Sequence, residues 1–172
     1  MDEEEKLQAF KAIGLAADLE NQGYELYTTA AKLVSDPLAK QMFEKLAEDE
    51  LQHLAAIKEI QDELVESLDI SRYDLAEALG AGDFPELPLS GVFEHLKKWT
   101  SSIGDFRIAS ELDALGAALV AEINAIRHYS DLLLACTSEV AQKTYRRLIA
   151  EEKKHFEILT RRTEQVVNGY LT

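Results

Sequence analysis

Apolar residues recur at intervals of three and four along four stretches of the chain, residues 3–34, 38–67, 109–136 and 139–168, which is the period of an amphipathic helix. In the first stretch one stripe holds Ile13, Ala16, Ala17, Glu20, Tyr24, Tyr27 and Ala31; in the third the corresponding stripe holds Leu112, Leu115, Leu119, Glu122, Ile126, Tyr129 and Leu133. The second stretch lines up Met42, Leu46, Glu50, His53, Ile57 and Leu64, and the fourth Tyr145, Leu148, Glu152, His155, Leu159 and Val166. These patterns predict four long helices. Ser35-Asp36-Pro37 separates the first pair, with Asp36 as N-cap and Pro37 at the first helical position, and Thr137-Ser138 separates the second pair. Connections this short force each pair into an antiparallel hairpin. Residues 68–108, which carry Gly80-Ala81-Gly82-Asp83, Phe84-Pro85-Glu86-Leu87-Pro88 and Ser90-Gly91, read as a long crossover. A thirty-residue helix is about 45 Å long, a distance that the crossover spans with slack. A short helix is expected over residues 91–100, with Phe84, Phe93 and Trp99 sealing the side of the bundle. The expectation is one all-α domain over residues 1–172, a four-helix bundle of two hairpins.

Composition supports the helical reading: Leu, Ala and Glu dominate, and 172 residues contain only three prolines and eight glycines. The formal net charge of -14 argues against nucleic acid and membrane surfaces as partners, because both demand clustered Lys and Arg. The acidic start Met1-Asp2-Glu3-Glu4-Glu5 is unlike a secretory signal, so a cytoplasmic location is expected. Cys136 stands alone, which excludes a disulfide framework and a cysteine-bound metal.

A shift of 102 positions lays the second hairpin over the first without a gap. Gly14 meets Gly116, Ala16 meets Ala118, Glu20 meets Glu122 and Tyr27 meets Tyr129; further on, Ala39 meets Ala141, Leu46 meets Leu148, Glu50 meets Glu152 and His53 meets His155. Four glutamates and two histidines thus fall inside apolar stripes. An ionised carboxylate taken into a low-dielectric core loses several kcal/mol of solvation unless something compensates its charge. No Lys or Arg shares those stripes at the same depth, whereas two divalent cations balance four carboxylates. In Glu-x-x-His the two side chains stand one turn apart on one face, within reach of a single ion. Oxygen and nitrogen ligands of this kind accept iron, manganese, zinc or a mixture.

These residues resemble the rubrerythrin-like branch of the ferritin-like di-iron carboxylate proteins. That family's order of Glu, Glu-x-x-His, Glu, Glu-x-x-His falls on Glu20, Glu50, His53, Glu122, Glu152 and His155. The resemblance implies a pair of iron ions bridged by Glu50 and Glu152, with Glu20 and His53 completing one coordination sphere and Glu122 and His155 the other. It implies an oxidoreductase that reduces peroxide; the alternatives are a ferroxidase or iron-storage protein acting with dioxygen, and a non-catalytic helical module stabilised by metal. It also implies a homodimer. The sequence departs from the family at two points. The four cysteines of a rubredoxin domain are missing, so electrons are expected from a separate donor protein such as a rubredoxin. Ala125 stands where rubrerythrins tend to carry a further glutamate.

The remaining polar residues have plainer readings. Tyr27 and Tyr129 lie two turns beyond Glu20 and Glu122, and are either hydrogen-bond partners of the ligand carboxylates or ordinary core tyrosines. Tyr24 has no counterpart in the repeat and is assigned to packing, as are His95 and His128 to packing or surface. Asp49 and Glu151 precede the bridging glutamates and point about 100° away, too far round the helix to act as direct ligands. Lys143, Arg147, Lys154 and Arg161 form a line opposite Glu152, either a solvated face or a contact for an acidic partner.

Overall fold

The computed structural model describes residues 3–68 and 107–170, which form four helices: α1 (Glu3–Leu33), α2 (Pro37–Leu68), α3 (Arg107–Ala135) and α4 (Glu139–Tyr170). Each boundary lies within two residues of its sequence expectation. The turn between α1 and α2 forms as its residues require: the backbone N–H groups of Leu38 and Ala39 both donate to Asp36 Oδ1 at 2.9 Å, with Pro37 opening the helix. Ser138 caps α4 through its Oγ, which accepts from Ala141 N–H at 3.3 Å. The expected short helix over residues 91–100, and the seal of Phe84, Phe93 and Trp99, lie outside the described residues.

The cross-bundle pairings fix the directions of the helices. Tyr27 on α1 reaches Glu122 on α3, while Tyr129 on α3 reaches Glu20 on α1, so later positions on one helix meet earlier positions on the other. Helices α1 and α3 therefore run antiparallel. The same logic holds for α2 and α4, where His53 faces Glu151 and His155 faces Asp49. With α1·α2 and α3·α4 as hairpins, α2 ends and α3 begins at opposite ends of the bundle. This is the ferritin-like arrangement of two hairpins; the crossover expected between them falls on residues 69–106, outside the described residues.

The core is split in two. One apolar cluster gathers Leu26, Tyr27, Ala30, Val34, Phe43, Leu46, Leu115 and Leu159 towards the α1–α2 turn. The other gathers Ile13, Ile57, Ile60, Tyr129, Leu132, Tyr145 and Leu148 towards the α3–α4 turn. The repeat is visible in their aromatics: Tyr27 stacks on Phe43 at 6.1 Å, and Tyr129 stacks on Tyr145 at 6.2 Å. At the first end Arg162 ties the hairpins together, its Nε donating to Glu111 at 2.6 Å and its terminal nitrogen pairing with Asp36 at 3.1 Å. Between the two clusters the core turns polar.

Among the described residues, no helix is long and apolar enough to cross a membrane. Tyr24 packs against the first apolar cluster, as its lone position in the repeat suggests. Lys143, Arg147, Lys154 and Arg161 are all exposed on α4.

Candidate metal centre

The six residues singled out by the repeat meet in the middle of the bundle. Glu20, Glu50, His53, Glu122, Glu152 and His155 are each no more than 4% exposed. Each hairpin supplies one glutamate from its first helix and a Glu-x-x-His pair from its second. They form two overlapping groups: Glu20, Glu50, His53 and Glu152 on one side, and Glu50, Glu122, Glu152 and His155 on the other, with ligand atoms within 4.8 Å of one another in each. Glu50 and Glu152 belong to both groups.

The histidines point their Nδ1 atoms inward. His53 Nδ1 lies 3.1 Å from Glu20, 3.0 Å from Glu50 and 2.9 Å from Glu152. His155 Nδ1 lies 3.1 Å from Glu152, 3.5 Å from Glu122 and 3.7 Å from Glu50. The two rings stack at 5.4 Å between centroids. Both tyrosines of the repeat hydrogen-bond to carboxylates across the bundle, Tyr27 donating to Glu122 and Tyr129 to Glu20. Each hydroxyl thus reaches a carboxylate of the opposite hairpin and fixes one of its oxygens.

Asp49 and Glu151, too far round their helices to join the centre, reach it from outside. Glu151 lies 3.1 Å from His53 Nε2, and Asp49 lies 3.6 Å from His155 Nε2. Each belongs to the hairpin opposite the histidine it faces. The sequence carried a signal for this, the acidic residue immediately before Glu50 and before Glu152, but its meaning depends on how the hairpins pack. His128 is half-buried, with Nε2 3.3 Å from the carbonyl of Ala12, a packing role as expected.

Glu50 packs closely against Gly23. A Cβ there would meet the carboxyl carbon and Oε1 of Glu50, each at 3.3 Å. The 102-residue shift places Ala125 opposite it in the second hairpin, where its methyl packs against the second apolar cluster.

The electrostatics of the cluster are those of a site with excess negative charge. Burial pushes the carboxyl groups of Glu50 and Glu122 well above the usual range, and raises Glu20 as well. Glu152 goes the other way: burial works against its charge, yet His155 and His53 beside it hold it down at about 2. His155 is lifted to about 10, because Glu122 and Glu152 outweigh the penalty of burial, and His53 is raised in the same manner. With protons alone as counter-charge, hydrogen bonding stays incomplete. Glu122 Oε2, both carboxylate oxygens of Glu152 and His155 Nδ1 are buried without a well-aligned hydrogen-bond partner, a costly state for groups deep in a core. All four belong to the set of atoms that would surround a cation. Two divalent ions would satisfy them and neutralise the four carboxylates, so the donor set fits a pair of metal ions.

Comparison with known proteins agrees. A hypothetical protein from Pyrococcus furiosus shares the fold at 18% identity, with a TM-score of 0.66 over 93% of this chain and 90% of that one. A two-domain protein from Anabaena variabilis, containing DJ-1/ThiJ/PfpI-like and ferritin-like domains, aligns at 15% identity and a TM-score of 0.64, over 95% of this chain and 38% of its own. No curated protein sequence matches the chain. The rubrerythrin family model matches residues 11–163, a span that takes in every residue of the polar centre. The chain belongs to the rubrerythrin family.

Proposed function

We propose that the protein is a di-iron carboxylate oxidoreductase that reduces peroxide, drawing electrons from a separate donor protein. The observation that carries this reading is the overlap of the two four-residue groups at Glu50 and Glu152. Glu50 and Glu152 would each reach both ion positions, and two ions held together in this way would suit a two-electron substrate. Glu20 and His53 would complete the holding of one ion, and Glu122 and His155 that of the other. Iron held by these residues would supply the two electrons that cleavage of a peroxide O–O bond consumes.

The chain's own residues set the conditions. Tyr27 and Tyr129 hold Glu122 and Glu20 in one orientation before any ion arrives. The apolar clusters on either side exclude bulk water along the bundle axis. His53 and His155 present Nδ1 to the centre, and the acidic groups behind their Nε2 atoms favour the tautomer in which Nδ1 is free to bind. The compartment assigned is the cytoplasm, in keeping with a sequence without a disulfide framework. The exposed basic line on α4 suits an acidic electron donor or a second subunit of a homodimer.

A second reading, oxidation of ferrous iron by dioxygen as a step of iron handling, is favoured by Ala125, since the further glutamate that rubrerythrins tend to carry is absent there. One experiment separates them. The protein is loaded anaerobically with ferrous iron, its metal content measured, and then mixed rapidly with peroxide or with dioxygen. Two irons per chain oxidised faster by peroxide support the first reading, and faster oxidation by dioxygen supports the second. Failure to retain stoichiometric metal would overturn both.

A further inference from the structure

The repeat makes the two halves of the centre equivalent in ligands but not in what stands behind them. Glu151 and Asp49 are partners under the 102-residue shift, as are Arg147 and Lys45. Glu151 has the longer side chain and comes to 3.1 Å from His53 Nε2, a hydrogen-bonding distance. Asp49 is one methylene shorter and stops 3.6 Å from His155 Nε2, beyond that distance. Asp49 is also engaged elsewhere: its Oδ1 pairs with Lys45 Nζ at 2.8 Å on the exposed face of α2. Among the described residues, no ion pair joins Arg147 to Glu151.

The inner contacts show the same inequality. His53 Nδ1 has three carboxylate oxygens within 3.1 Å, whereas His155 Nδ1 has its three spread from 3.1 to 3.7 Å. The side with the firmly backed imidazole is therefore also the more compact one.

From these two observations we infer that the half-sites bind metal unequally: the first divalent ion enters between Glu20, Glu50, His53 and Glu152, and the ion held by Glu122 and His155 is the weaker, exchangeable one, with Glu151 and the Lys45–Asp49 pair setting the difference. The inference rests on the metal-binding reading above. Its cause is that a carboxylate accepting from Nε2–H orients the imidazole and strengthens Nδ1 as a donor, an effect of about 10- to 100-fold in metal affinity. Glu151 and Asp49 are positioning residues in this scheme, acting through His53 and His155. Lys45 acts one step further out by drawing Asp49 away.

The test is a zinc titration of the full chain, stripped of metal and labelled with 15N at histidine, so that each imidazole is followed separately by NMR. The chain has four histidines, and His128, away from the centre, serves as an internal reference. The expected result is that the His53 Nδ1 signal moves during the first equivalent and the His155 signal only during the second. Glu151 is 36% exposed, so Glu151→Gln leaves the core intact; it should weaken the first step about 10- to 100-fold and make the two histidines respond together. Lys45→Ala frees Asp49 and should tighten the second step. Histidines that shift together in the wild type, or an order that survives Glu151→Gln, would overturn the inference while leaving the metal centre standing. If neither histidine responds to two equivalents of zinc, the metal-binding reading itself falls, and the inference with it.

Discussion

Replacing Gly23 by alanine sets two effects of opposite sign against each other, and the structure says which observable each one moves. Alanine is favoured over glycine in a helix interior by about 0.8–1.0 kcal/mol. Gly116, exposed on α3 with nothing within 4 Å of where a Cβ would stand, isolates that gain. Gly116→Ala should therefore raise the melting temperature by about 2–4 °C in a domain of this size and leave metal binding unchanged. Gly23→Ala brings the same helix preference, but its methyl lies 3.3 Å from the Glu50 carboxyl carbon and Oε1. Glu50 is 4% exposed and sits 3.0 Å from His53 Nδ1, so it has little room to retreat. A displacement on the order of a few tenths of an ångström exceeds the roughly 0.2 Å tolerance of metal–ligand distances. At least a tenfold loss of affinity is expected, about 1.4 kcal/mol, which removes roughly 3–5 °C from the stabilisation that saturating metal provides. Thermal melts of wild type, Gly116→Ala and Gly23→Ala, each with and without zinc, measure both terms. A Gly23→Ala variant that gains as much from metal as Gly116→Ala would refute this, for then Glu50 does not hold the ion.

Two further outcomes follow from contacts away from the centre. Arg162 is the tie between the hairpins at the α1–α2 turn, and its Arg162→Ala variant leaves the largely buried Glu111 without its partner. A loss of about 2 kcal/mol is expected, a fall of roughly 4–8 °C in melting temperature, read by calorimetry on the metal-free protein. Burial holds His128 below its ordinary value of 6.5, partly offset by its hydrogen bond to the Ala12 carbonyl. The unfolded chain therefore takes up this proton first as pH falls, so the His128 contribution is intact above pH 6.5 and is lost progressively below it. Denaturant melts at pH 7.5 and 5.5 should show a smaller pH effect in His128→Gln than in wild type; equal slopes would show that His128 is not buried in its neutral form.

The helices, their hairpin pairing and the six polar residues that meet between the apolar clusters were all legible in the sequence. Those features are local or periodic: Asp36-Pro37 and Ser138 stop and restart helices through their own backbone chemistry, and the apolar stripes carry Glu20, Glu50, Glu122 and Glu152 inward together with His53 and His155. The 102-residue repeat doubled each of these signals, so agreement between halves stood in for distances. What depends on one hairpin meeting the other was not legible there. That Tyr27 serves Glu122 and Tyr129 serves Glu20, rather than carboxylates of their own hairpin, follows only from the antiparallel packing of α1 and α3. The positions of Asp49 and Glu151 about 100° from the ligand face ruled them out as direct ligands; packing of α2 against α4 brings the opposite histidine's outer nitrogen round to meet them. The close approach at position 23 was likewise invisible, because it is the Glu50 side chain of the neighbouring helix, and not any turn of the backbone, that crowds the place a methyl would take.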